Sequence, residues 1–110
     1  DKTDLYIFMS SISVYDVGLH PNSEYDSYCI NKLNSERLFQ NKELKSLILR
    51  PGILCGDGDN TNRFIYHDDG EITWEHTNQI VEDYIPVKDL ARIVIRMIRE
   101  NKRGVYEYVS

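Results

Sequence analysis

Basic side chains are in short supply. The 110 residues carry 13 lysines and arginines against 18 aspartates and glutamates, for a formal net charge of -5 and an isoelectric point near 5.1. A nucleic-acid binder gathers lysine and arginine to neutralise phosphates, so this balance argues against one and leaves a small molecule or another protein as partner. Cysteine is nearly absent: Cys29 and Cys55 have neither zinc nor redox spacing, which points to free thiols in a reducing, cytoplasmic setting. His67 and His76 have no partner at metal spacing, so no metal is expected. No apolar run is long enough to span a bilayer and no signal peptide is evident, so no membrane partner is expected either. Repeats, low-complexity tracts and linkers are also missing, and the length allows a single domain, 1–110, at most. The chain starts at Asp1 without an initiator methionine, which reads as a piece cut from something longer.

What is present reads as alternating strands and helices. Leu5 to Met9 is a short run of large apolar side chains, the pattern of a strand covered on both faces in a parallel sheet. A polar loop from Val14 to Asn22 leads into a long helix, Ser23 to Gln40. Asn22 or Ser23 can cap its free amides, and Glu24 and Asp26 suit its first turn. Lys42 to Lys45 is a charged turn, and Ser46 to Arg50 is a second strand. Strand, helix, strand is a crossover unit that brings the carboxyl ends of both strands, and so Ser11 and the Arg50-Pro51-Gly52 turn, to one sheet edge. Ile72 to Glu75 and Ile80 to Ile85 read as short strands outside the main sheet, with Thr77-Asn78-Gln79 as a turn between them. Leu90, Ile93, Val94, Met97 and Ile98 fall at helix spacing between Lys88 and Asn101, Gly104 supplies a stop, and Val105 to Val109 closes the chain as a strand.

Chemistry concentrates on the long helix. Tyr28 and Lys32 stand four residues apart, about one turn, so both project from one face. An ammonium beside a phenol stabilises the phenolate and suits it to exchange protons with a hydroxyl group. Tyr84 and Lys88 repeat the spacing, but Pro86 between them interrupts any shared helix. Ser11 and Ser13 lie just past a buried strand, where open α/β sheets place their ligands. Two apparent motifs in the glycine-bearing loop 52–62 fail on inspection. Gly56-Asp57-Gly58 starts like a dinucleotide fingerprint, but Thr61 replaces its third glycine and two aspartates would face the pyrophosphate. Asp57, Asp59, Thr61 and Asp68 match calcium-loop positions, yet Asn62 replaces the turn glycine and the closing glutamate is missing. A solvated loop is the simpler reading.

Four signals in order resemble the latter half of an extended short-chain dehydrogenase/reductase, the superfamily of NAD-dependent epimerases and dehydratases. They are Ser10-Ser11-Ile12-Ser13-Val14-Tyr15 after a strand, Tyr28-x-x-x-Lys32 with Glu36 one turn on, Leu49-Arg50-Pro51-Gly52 with Gly56, and Asp83-Tyr84-Ile85-x-Val87-x-Asp89-Leu90-Ala91. The resemblance implies an α/β fold, the latter part of a Rossmann-like doubly wound parallel sheet, with a small β insertion and a reduced substrate-binding region at 53–86. It further implies Tyr28 as general acid/base, Lys32 holding the nicotinamide ribose, Ser11 bonding the reacting oxygen, Pro51, Gly52 and Ile53 bordering the nicotinamide of NAD or NADP, and Ser13 near the substrate. The substrate implied is a sugar, a sugar nucleotide or another hydroxy-carbonyl compound. Glu82 stands where sugar-nucleotide members commonly carry an arginine, and Ile53 where an asparagine is common, which favours a less anionic substrate. The family's glycine-rich cofactor loop belongs to an N-terminal half that this chain lacks, and sheet surface left uncovered by that half favours self-association, a homo-oligomer among the outcomes. The competing expectation is a non-catalytic Rossmann-like sensor or interaction module that keeps the fold without turnover.

Overall fold

The computed structural model describes residues 5–41, 45–56 and 63–109. In chain order the elements are β1 (Tyr6–Met9), a 3-10 turn (Ile12–Asp16), α1 (Glu24–Asn41), β2 (Ser46–Pro51), β3 (Ile53–Cys55), β4 (Phe64–Tyr66), β5 (Ile72–Trp74), β6 (Tyr84–Pro86), α2 (Val87–Arg99) and β7 (Gly104–Tyr108). Three of the strands form an all-parallel sheet in the order β1-β2-β7, with Phe8 opposite Ile48 and Ile48 opposite Val105. β2 takes the centre because Leu47, Ile48 and Leu49 offer apolar side chains to both faces, and all three are at most 1% exposed. Burial of that kind contributes about 1.5–3 kcal/mol per side chain.

α1 is tied to this sheet by a mixed inner face. Cys29 and Glu36 are buried, and Phe39 stacks on Phe8 of β1 with ring centroids 5.3 Å apart. Its start follows from Ser23, whose hydroxyl accepts from the Asp26 amide at 3.0 Å, while the Asp26 carboxylate reaches back to the Gly18 amide at 2.8 Å. Of the two cap residues read from the sequence, Ser23 does the capping. Asn22 instead takes a left-handed turn, φ 64°.

Two smaller pairings complete the α/β arrangement. β3 runs parallel to β6, and β4 pairs antiparallel with β5. Cys55, Phe64, Ile72 and Val81 form their shared core, with Trp74 and Tyr84 packed against it. Several boundaries differ from the sequence reading. β3 and β4 were not anticipated. The segment read as a strand from Ile80 to Ile85 makes one bridge, Ile80 to Thr73, then becomes extended again only at Tyr84–Pro86, where it pairs with β3 instead of β5. The turn between Trp74 and Gln79 does form, closed by the Trp74 amide donating to the Gln79 carbonyl and the Asn78 amide to the Trp74 carbonyl. α2 stops at Arg99: Asn101, at φ 56°, is the left-handed residue, with its amide bonded to the Ile98 carbonyl and the Lys102 amide to that of Met97. Gly104, expected to stop the helix, opens β7 instead. The motif-like residues Asp57, Gly58, Asp59 and Thr61 lie outside the described residues.

The Cα radius of gyration is 15.8 Å, against about 13 Å for a closed domain of this length. Apolar side chains remain uncovered accordingly, among them Ile7 on edge strand β1 and Ile95 and Ile98 on α2. No helix among the described residues is long and apolar enough to cross a membrane.

Candidate functional site

The carboxyl ends of β1 and β2 open onto one cleft. Ser10 leaves β1 with its amide bonded to the Leu49 carbonyl, so the turn that follows begins directly beside the end of β2. Ser11 is extended (φ -157°, ψ 149°) and caps the 3-10 turn by accepting from the Ser13 amide at 3.1 Å. This short helix replaces the start of the expected loop. Ser13 is buried, and its hydroxyl has no hydrogen-bond partner among the described residues. An unpaired buried hydroxyl costs about 1–3 kcal/mol, which makes it the kind of group a bound ligand would satisfy.

The cleft has a volume of about 510 Å³, within the usual span of small-molecule sites. Ser10 to Ser13 form one wall, Tyr25 and Tyr28 of α1 a second, Pro51 to Leu54 a third, and Arg63 and Trp74 contribute from the β4–β5 side. Of the residues singled out in the sequence, Ser11, Ser13, Tyr28, Pro51, Gly52 and Ile53 therefore share one cavity. Lys32 and Glu82 are not part of its lining. Lys32 sits one turn below Tyr28, with its Nζ 5.8 Å from the Tyr28 ring centre and donating to the Met9 carbonyl at 2.9 Å. Glu82 is exposed on the approach to β6. Gly52 is not a cradle that a side chain would fill, since a Cβ there would meet only ordinary contacts, the nearest at 3.6 Å to Val109. Among the described residues no cluster of three or more histidine, cysteine or acidic side chains is arranged to hold a metal.

Behind the cleft lies a charged network that the sequence showed only in outline. Glu36, 1% exposed, accepts from the Ser10 hydroxyl at 2.5 Å and from Arg50 Nη2 at 2.6 Å and Nε at 3.0 Å. Arg50 Nη1 donates in turn to the Tyr15 hydroxyl at 2.9 Å. Burial alone would raise the Glu36 pKa, but the bonds from Arg50 and Ser10 outweigh it and hold the carboxyl below its ordinary value. The same bond to Glu36 raises the Arg50 pKa against the effect of burial. One carboxylate thus clamps α1 to the ends of both strands that bear the cleft's serine and proline turns. Spacing had marked Glu36 as one turn past Lys32. Its partners are distant in sequence, so nothing local revealed the clamp.

Tyr25 was not singled out in the sequence. Its hydroxyl donates to Asp16 Oδ2 at 2.5 Å, and its ring lies 6.5 Å from that of Tyr28 at an interplanar angle of 21°. The bond to Asp16, followed by burial and the neighbouring Cys29, pushes the Tyr25 pKa well above that of an ordinary phenol.

No protein-family model and no curated protein matches the chain. A solved structure does: the crystal structure of a putative epimerase from Burkholderia cenocepacia J2315 superposes with a TM-score of 0.56 and 15% sequence identity. What the two share is the fold. The match covers 96% of this chain and 40% of the other, so the chain spans less than half the length of that structure. At such low identity the likeness speaks for the α/β architecture, a small parallel sheet with two helices, and for nothing finer.

Proposed function

We propose that the chain is the carboxyl-terminal part of a Rossmann-like NAD- or NADP-dependent epimerase, dehydratase or reductase that acts on a sugar or other hydroxy-carbonyl substrate. The observation that carries this reading is the meeting of Ser11, Tyr28 and the Pro51–Ile53 turn in a single cleft at the carboxyl edge of parallel strands. Packing would be served as well by phenylalanine at position 28, yet a phenol stands there, 46% exposed, with an ammonium beside its ring.

The residues present fit the nicotinamide end of a dinucleotide. Pro51, Gly52 and Ile53 would border the ring, and the unpaired Ser13 hydroxyl offers a polar contact near the substrate. Lys32, behind the cleft wall, gives one of its three N–H donors to Met9 among the described residues, and the others would serve the ribose hydroxyls. When bound, the dinucleotide supplies the hydride acceptor or donor. Tyr28 takes the proton from the substrate hydroxyl, or returns it to the carbonyl oxygen, at its own phenolic oxygen. Ser11 donates a hydrogen bond to that same substrate oxygen and holds it against Tyr28.

Tyr28→Phe, made in the longer protein that supplies the nucleotide-binding half, tests the reading. Turnover should fall by roughly two to four powers of ten, the usual contribution of a positioned acid/base, with dinucleotide binding retained. Unchanged turnover would exclude Tyr28 from the chemistry. Tight dinucleotide binding without turnover in the unaltered protein would favour a sensor over an enzyme.

A further inference from the structure

We infer that Tyr25, tethered by Asp16, is a positioning residue for Tyr28. The inference rests on the proposed role of Tyr28 but concerns a part of the cleft which that role leaves unexplained. Tyr28 is nearly half exposed. A side chain in that state samples several rotamers, whereas an acid/base group must keep its oxygen within hydrogen-bond reach of one substrate atom. Ring contacts supply the missing restraint. Lys32 Nζ stands 5.8 Å from the Tyr28 ring centre, and the Tyr25 ring lies 6.5 Å away and nearly parallel. Residues 25, 28 and 32 are spaced to share one helical face, so Tyr28 is held between the other two.

Tyr25 can restrain its neighbour only if it is itself restrained, because it too is 40% exposed. The tether is the bond from its hydroxyl to Asp16 Oδ2. Asp16 ends the 3-10 turn that begins immediately after Ser11 and contains Ser13. The bond therefore joins the serine turn to the helix face that bears Tyr28, coupling the two sides of the cleft whose spacing matters most. A second clasp, Asp26 to the Gly18 amide, holds the same loop to α1 at 2.8 Å. With its proton engaged by Asp16, Tyr25 also remains a neutral phenol and offers no second base beside Tyr28.

The test uses the chain with 13C-labelled tyrosine, in which Tyr28 is assigned by its disappearance in Tyr28→Phe. Tyr25→Phe keeps the ring and removes the tether, Asp16→Ala removes the acceptor, and Asp16→Asn retains an acceptor oxygen. Tyr25→Phe and Asp16→Ala should each move the Tyr28 ring signals toward their unfolded-chain positions, and combining them should add little. Asp16→Asn should restore the native signals. Should a Tyr25 variant fail to fold, the two Asp16 variants carry the comparison, with circular dichroism as the check on folding. In the longer protein, Tyr25→Phe should lower kcat by up to about 100-fold with little change in KM, as expected for a misplaced reacting group. Unmoved Tyr28 signals in Tyr25→Phe, or Asp16→Asn as disruptive as Asp16→Ala, would overturn the inference. The ring signals do not depend on turnover, so a Tyr28→Phe enzyme of full activity would refute the proposed chemistry while leaving this positioning role to stand or fall by its own result.

Discussion

Replacing Glu36 by alanine should be among the most damaging single changes available to this fold. Glu36 is 1% exposed and accepts from both Ser10 and Arg50, whose side chain is itself only 17% exposed. Without the carboxylate, a largely buried guanidinium keeps only the Tyr15 hydroxyl as hydrogen-bond partner among the described residues, and the Ser10 hydroxyl loses its acceptor. Removing one member of a buried ion pair costs about 3–5 kcal/mol. That is a large share of the roughly 5–15 kcal/mol by which single domains are stable. Urea unfolding followed by circular dichroism would report it. At a slope of about 2 kcal/mol per molar, the midpoint should drop by about 2 M. Replacing both partners, Glu36→Met with Arg50→Met, should be less harmful than either single change, since no uncompensated charge then remains. A midpoint within about 0.3 M of the unaltered chain in Glu36→Ala, or a double variant as unstable as the sum of the singles, would refute the reasoning.

Acid should weaken the same clamp. The folded-state pKa of Glu36 is depressed, so its contribution is complete above the ordinary glutamate value near 4.3 and is lost as pH falls through the lower folded value. Urea midpoints between pH 6 and 3 should fall more steeply for the unaltered chain than for Glu36→Gln. Asn101→Gly should raise the midpoint modestly, by up to about 1 kcal/mol in stability, because the left-handed φ of 56° strains asparagine and suits glycine. Calorimetric titration of these 110 residues with NAD and NADP should show no micromolar binding, since the glycine turn that meets the pyrophosphate in such folds does not occur in the sequence.

The elements legible in the sequence are those whose periodicity is settled locally. β2 announces itself through three consecutive apolar residues, α2 through its 3-4 spacing, and the start of α1 through Ser23 and Asp26. The reading lost accuracy where a partner lies far along the chain. β3 is three residues long and pairs with β6, and nothing within Ile53–Cys55 signals that distant strand. Gly104 attracted the helix stop because glycine tolerates a left-handed turn best. Asparagine tolerates it too, and Asn101 came first. At the cleft, Ser11, Ser13, Tyr28 and the Pro51 turn could be gathered because crossover topology brings successive strand ends to one edge. Tyr25 could not, since its standing depends on an Asp16 contact made across a turn whose course the sequence left open.

The double attachment of Glu36 has a consequence for how the cleft comes into being. Its bonds close separations of 26 residues to Ser10 and 14 residues to Arg50, from a single carboxylate. A helix docked on the end of β1 alone would bury that carboxylate without the Arg50 counter-charge, which costs several kcal/mol, whereas docking on β2 supplies the guanidinium and leaves only the Ser10 bond to form. Docking on β1 alone is therefore the disfavoured order. The turn bearing Pro51 is thus expected to be in place no later than the turn bearing Ser11, where the bond from Ser10 completes the clamp.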